Sequence, residues 1–151
     1  SLGARASGQP GSWETGLAEM RRRLVAAQLP IEGLVLADGS GLSTEDRASP
    51  RLLVEALRHA RRSFDYGPEL MASLPIAGRD GTLERRAGKA VGEVRAKTGL
   101  LSDAGVTALS GYARRNDGEL LVFSIVVNGF RRGSQAAMGA VDAWVSEIVR
   151  P

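Results

Sequence analysis

Lys97-Thr98-Gly99 is the tripeptide in this chain best suited to gripping a carboxylate. The ammonium supplies charge, the hydroxyl a directional hydrogen bond, and the glycine lets a peptide backbone come close. Lysine is a rare choice here, since 18 of the 20 basic residues are Arg and only Lys89 and Lys97 are Lys. The plainer alternative is a strand-end lysine followed by a turn glycine. A second candidate is Asp38-Gly39-Ser40-Gly41-Leu42-Ser43. A glycine-rich loop holding two hydroxyls can present a nucleophile or a proton shuttle, and the same composition also makes an ordinary turn. It is not a phosphate loop, because no Gly-Lys-Ser/Thr follows.

Residues 1–12 are rich in Gly, Ser, Ala and Pro and predict an irregular lead-in. Ser12 is the expected N-cap of a helix over 13–28, with Leu17, Met20, Leu24 and Val25 at helical spacing. Ser49-Pro50 reads as an N-cap followed by proline in the first turn of a second helix. Its apolar face is Leu52, Leu53, Ala56, Leu57 and Ala60, and Arg58, His59, Arg61 and Arg62 fall off it. Residues 67–88 are turn-rich. Strands are predicted over 93–98, 107–114 and 119–127, the last two joined by Asn116-Asp117-Gly118. The run Leu120 to Val127 is apolar on both faces, which predicts a strand buried between layers. Ser134 is the expected cap of a closing helix whose Ala137, Val141, Trp144, Val145 and Ile148 share a face. The layout is α+β, an antiparallel sheet of at least three strands flanked by helices.

Composition narrows the chemistry. With 43% hydrophobic and 25% charged residues over 151 positions, the chain has the make-up of a globular domain. It holds no cysteine and one histidine, His59, so disulfides, thiolate catalysis and multi-histidine metal sites are excluded, and no cofactor is expected. Residues 1–10 lack the apolar core of a signal peptide. The net charge is +3, with arginines clustered at 21–23, 61–62 and 131–132, but only seven residues are aromatic and no nucleic-acid motif is present. Nucleic acid is therefore not the expected partner.

The two candidate segments gain weight from their wider wording. Leu2-Gly3-Ala4, Pro10-Gly11-Ser12-Trp13, Asp38 to Ser43, Arg47 with Ser49-Pro50, Ser73-Leu74-Pro75-Ile76-Ala77-Gly78 with Asp80-Gly81-Thr82-Leu83, and Ala96-Lys97-Thr98-Gly99 follow one another in this order. Together they resemble the C-terminal half of the D-alanyl-D-alanine carboxypeptidase/endopeptidase family, the low-molecular-mass class C penicillin-binding proteins or peptidase family S13. The resemblance runs from residue 2 to the final helix. It implies the C-terminal portion of a penicillin-binding-protein/β-lactamase-like transpeptidase domain over 1–151.

Members of that family act on peptidoglycan stem peptides through a serine acyl-enzyme, and the same serine is acylated by β-lactams. By the resemblance, Ser43 is the second-motif serine, passing a proton between the nucleophile's lysine and the leaving amine. Lys97 makes the site electropositive, and Thr98 binds the carboxylate of substrate or β-lactam. Gly99 keeps the strand edge open, and the Leu100 N–H forms half of the oxyanion hole. Two departures stand out. Where the family carries an Asn shortly after the second-motif serine, this chain reads Ser43-Thr44-Glu45-Asp46, so Asp46 is the residue available for the substrate amide, and an ionised carboxylate cannot donate. The nucleophile motif Ser-x-x-Lys is absent, because Arg86 and Val94 stand three residues before the two lysines. The expectation is a C-terminal piece of a larger cell-envelope enzyme, inactive alone, whose partner is an N-terminal segment carrying the nucleophile. A second reading is a truncated, non-catalytic paralogue that binds peptidoglycan or a protein partner.

Overall fold

A computed structural model describes residues 2–8, 10–131 and 133–150. Ser1 and Gln9 of the lead-in and Arg132 of the last arginine pair lie outside the described residues. The chain divides into two compact units, Ser1–Glu55 and Ala56–Pro151.

In the first unit two helices pack together, α1 (Leu2–Ser7) and α2 (Trp13–Ala26). The close approach depends on Gly3, where a Cβ would sit 2.5 Å from Thr15 Oγ1 and 2.8 Å from the Gly16 nitrogen. The N-terminus of α2 is capped as its sequence predicts. Ser12 Oγ accepts the Thr15 N–H at 3.1 Å, and Thr15 Oγ1 accepts the Ser12 N–H at 3.0 Å. Helix α1 replaces the irregular segment expected over the lead-in. Six residues are too few to hold a helix alone, so the packing on α2 supplies its stability. The predicted apolar face of α2 is only half-buried at Leu17, Met20 and Leu24, and Val25 is exposed. After α2 the backbone closes a loop through an antiparallel bridge between Val35 and Arg47. Helix α3 (Pro50–Arg62) begins in this unit, with Ser49 Oγ accepting the Leu52 N–H at 3.1 Å.

The second unit holds the C-terminal turns of α3, then α4 (Gly67–Ser73), a 3₁₀ turn (Gly81–Leu83), β1 (Val94–Leu101), β2 (Val106–Arg114), β3 (Leu120–Asn128) and α5 (Ser134–Ile148). The strands form an antiparallel sheet in the order β1-β2-β3, so the α+β expectation holds. The β2–β3 turn is the one read from Asn116-Asp117-Gly118: Arg115 N–H bonds the Glu119 carbonyl at 2.8 Å, and Gly118 has φ +88°.

One face of the sheet packs on α5. Val94, Ala96, Leu109, Ala113 and Phe123 meet Val141, Val145 and Val149, and Leu83 is sealed in the same core. Register explains why Gly111 sits there, between Ala96 and Phe123. A Cβ at Gly111 would collide with the Arg95 carbonyl and come within 2.6 Å of Ala96 Cα. On the other face Tyr112 is buried and donates its hydroxyl to the Leu57 carbonyl of α3 at 2.8 Å. Burial raises the Tyr112 phenol above its ordinary value, against the opposing charge of Arg61.

Four further expectations change. Helix α4 forms inside the segment read as turns, started by Pro68 just after Gly67. Ser134 is the first residue of α5 rather than its cap; Gly133, left-handed at φ +67°, occupies the cap position without a side-chain bond. Trp144 is 68% exposed, because the buried stripe of α5 runs through Val141, Val145 and Val149. Strand β3 differs most from its reading. Only Phe123 is buried, because among the described residues β3 pairs with β2 alone and is an edge strand.

Candidate active site

The candidate residues fall in two groups, one in each unit. In the first unit the Asp38–Ser43 loop is built by side chains bonding nearby backbone. Asp38 Oδ1 accepts the N–H groups of Ser40 at 2.8 Å and Gly41 at 3.0 Å, while its Oδ2 accepts the Ser40 hydroxyl at 3.0 Å. Burial pushes the Asp38 carboxyl up, but these bonds together with one from the Ser43 backbone outweigh it and hold the carboxyl below its usual range. The carboxylate thus serves as the internal acceptor around which the loop turns.

Ser43 is half-buried at the loop's end. Its Oγ accepts the Glu45 N–H at 3.1 Å, which fixes the oxygen while leaving the hydroxyl proton available for donation. Asp46 lies in the same loop. Its Oδ1 accepts the Ala37 N–H at 2.7 Å and the Asp38 N–H at 3.4 Å, so this oxygen is committed to holding the loop. Ser43 and Asp46 are joined directly by a backbone bond, Asp46 N–H to the Ser43 carbonyl at 3.4 Å.

In the second unit Lys97, Thr98, Gly99 and Leu100 follow one another on β1. The outer edge of β1 is closed over its first residues by the segment before the 3₁₀ turn. Ala77 N–H bonds the Val94 carbonyl at 2.9 Å, and Ala96 N–H bonds the Pro75 carbonyl at 3.1 Å. Backbone groups alternate along a strand, so the N–H groups of Thr98 and Leu100 point the same way as that of Ala96, and among the described residues no backbone bond continues the closure past Ala96. Leu100 is 45% exposed. An outward N–H at the open edge is the geometry an oxyanion donor needs.

Lys97 is exposed on the face opposite α5, in register with the hydroxyl pair of Ser110 and Ser124 at 2.9 Å. Its ammonium donates to the Thr98 carbonyl at 2.7 Å, one of three donors it carries. Gly99 would tolerate a Cβ, which would meet Ala108 Cβ at an ordinary 3.4 Å. The Gly99 carbonyl accepts the hydroxyl of buried Thr107 at 3.2 Å, which anchors this stretch of β1 to β2.

Thr98 has a partner that the sequence reading did not connect with it. Its hydroxyl donates to Thr82 Oγ1 at 3.1 Å, from sixteen residues away in the chain. Thr82 was visible only as part of the Asp80-Gly81-Thr82-Leu83 wording, which carries no sign of a tertiary contact.

With this geometry in hand, comparison with known proteins is specific. The family model described as "D-Ala-D-Ala carboxypeptidase 3 (S13) family" matches residues 2–148. A D-alanyl-D-alanine carboxypeptidase of Actinomadura sp. (strain R39) is 41% identical over 136 residues, which is 85% of this chain and 24% of that protein. Carboxypeptidase DacB of Mycolicibacterium smegmatis is 33% identical over 147 residues, 93% of this chain and 32% of that protein. Among solved structures, penicillin binding protein 4 (dacB) of Haemophilus influenzae, complexed with a β-lactam, superimposes with a TM-score of 0.88 at 27% identity. That match covers 99% of this chain and 36% of that one. The chain spans about a quarter to a third of the length of the curated relatives it matches.

Proposed function

From the premise that this chain belongs to the D-Ala-D-Ala carboxypeptidase 3 (S13) family, we propose that it contributes the Ser43 loop and the Lys97-Thr98-Gly99 strand to a serine D-alanyl-D-alanine carboxypeptidase/endopeptidase. The observation that carries this reading is the edge of β1, closed as far as Ala96 and open beyond it, with the Lys97 ammonium and the Thr98 hydroxyl beside outward N–H groups. An acyl-peptide entering there meets charge, a hydroxyl for its carboxylate, and the Leu100 N–H for the oxyanion of the tetrahedral intermediate. Ser43, held by Glu45 yet able to donate, suits proton transfer to the leaving amine. Asp46 keeps the loop's shape through Oδ1, and the substrate contact proposed for it is left to Oδ2.

The nucleophile belongs to a further segment carrying Ser-x-x-Lys, which these residues lack. An uncovered apolar cleft and an unpaired strand edge support a docked segment of the kind that makes up the rest of the relatives' length. In the first unit a cleft of about 380 Å³ is lined by Leu2, Trp13, Leu17 and Met20. In the second, the nine-residue strand β3 has no strand partner on its outer edge among the described residues. Beside the start of β3 a groove of about 670 Å³ is lined by Arg58, Arg61 and Arg62. We place the assembled enzyme in the cell envelope, where stem peptides are found. Among the described residues no helix is long and apolar enough to cross a membrane.

The test is acylation by a β-lactam of this chain assembled with its Ser-x-x-Lys segment. Lys97→Ala is expected to slow acylation about ten- to a hundredfold, the worth of a hydrogen bond to a charged group. Ser43→Ala is expected to slow it about a hundredfold or more, as for a lost general acid–base group. Lys97→Ala should melt with the parent, since its side chain is exposed, and Ser43→Ala should lose no more than the one loop bond from Glu45, about 1 kcal/mol. Acylation of both variants at the parent rate would contradict the assignment.

A further inference from the structure

Thr82 is exposed, so core packing does not account for a β-branched residue at this place. The turn beneath it is nonetheless held from several sides. Leu83 is sealed in the core. Asp80 Oδ1 accepts the Ile76 N–H at 2.6 Å, and the Gly78 N–H bonds the Leu83 carbonyl at 2.9 Å. Gly81 takes φ +52° against Pro75, where a Cβ would stand 3.1 Å from the proline ring. The stretch from Pro75 to Leu83 therefore has two tasks: it closes the edge of β1 at Val94 and Ala96, and it delivers one hydroxyl to Thr98 where that edge opens.

We infer that Thr82 is a positioning residue for carboxylate recognition, holding the Thr98 hydroxyl in place and switching from acceptor to donor when the ligand carboxylate arrives. Each hydroxyl carries one proton and can also accept. Without ligand, Thr98 donates to Thr82 at 3.1 Å. A carboxylate at the strand edge draws the Thr98 proton to itself, and Thr82 then donates to Thr98 Oγ1 across the same oxygen–oxygen contact. Donation by Thr82 requires a small turn of its side chain, because in the unliganded contact only the Thr98 hydroxyl is aligned to donate. A hydroxyl that accepts one bond while donating another is also the stronger donor. This inference rests on the reading that Thr98 takes the carboxylate, and adds the residue that makes it do so.

The experiment compares the parent with Thr82→Val and Thr82→Ser, each assembled with the Ser-x-x-Lys segment. Acylation kinetics are measured with benzylpenicillin and with its methyl ester, which lacks the anionic oxygen. Thr82→Val is expected to weaken capture of the acid about fivefold, the usual worth of one hydrogen bond. The loss should fall in the apparent dissociation constant and leave the limiting acylation rate nearly unchanged. Thr82→Ser should behave as the parent, and the ester should react alike with all three proteins. Equal acid and ester losses in Thr82→Val, no loss with either, or a Thr82→Ser variant as weak as Thr82→Val would each overturn the role of Thr82. A parent protein that benzylpenicillin does not acylate would instead overturn the peptidase reading, and the inference with it.

Discussion

At the residue scale, this molecule makes short polar side chains serve as backbone partners. Asp38, Ser40, Ser43 and Asp46 shape the loop of the first unit, and Thr107 does comparable work on β1, while Thr98 and Thr82 bond each other through their hydroxyls. Glu19 is a charged counterpart. It is buried on α2, accepting from Arg22 Nε at 2.6 Å, Arg22 Nη2 at 2.7 Å and Arg23 Nε at 2.8 Å. The hydrogen bonds from Arg22, and then from Arg23, hold its carboxyl at about 2 against an ordinary 4.5. A carboxyl lowered by folding contributes stability above its unfolded value, and loses it as pH falls through the folded one. Hydrogen-exchange protection of α2 should accordingly decline between pH 4.5 and about 2. Glu19→Gln should be less protected than the parent near neutral pH, with the difference closing across that window. Equal protection of the two proteins near neutrality would remove Glu19 from the account. Both candidate segments could be picked out of the sequence as contiguous runs, while the roles proposed for them came from the family resemblance and not from their residue types. The Thr82–Thr98 contact was not legible, since it depends on how residues 75–83 pack along β1.

At the element scale, β1 is the strand that matters, and Gly111 of β2 is what lets it lie flat. A methyl group there would strike β1 immediately before Lys97. Gly111→Ala is expected to cost about 1–3 kcal/mol through overpacking, seen as a lower melting temperature and slower acylation together. Gly99→Ala, whose Cβ would only touch Ala108, should melt with the parent. A Gly111→Ala variant as stable as Gly99→Ala would mean that β1 is not held against β2 in this way. The hairpin, the extent of β2 and the start of α3 were readable because turn chemistry, caps and alternation act within a few residues, whereas β1 runs on to Leu101, past its expected end at residue 98. Helix α1 escaped because its stability comes from packing on α2 rather than from its own pattern, and α4 because its starting Pro68 stands in a run of turn-forming residues. The apolar run of β3 predicted a buried strand, yet it lies at the edge. Residue types record how apolar a strand is, whereas its burial depends on what pairs with it.

At the scale of the whole molecule, the chain belongs to a peptidase family, and its sequence holds no Ser-x-x-Lys. The cleft beside α2 leaves apolar side chains uncovered, and the edge of β3, unpaired among the described residues, presents backbone groups that another strand could pair with. Both make sense in a protein that includes the remaining length of its relatives. The central claim is therefore a division of labour: these residues bind the carboxylate and oxyanion and relay protons, while another segment carries the nucleophile. Peptide mapping by mass spectrometry after labelling the assembled protein with a fluorescent penicillin tests this most directly. The account predicts a single label, on the serine of a Ser-x-x-Lys peptide, with residues 1–151 unmodified. A label on Ser40, Ser43 or any other serine of this chain, or no label in the assembled protein, would contradict it.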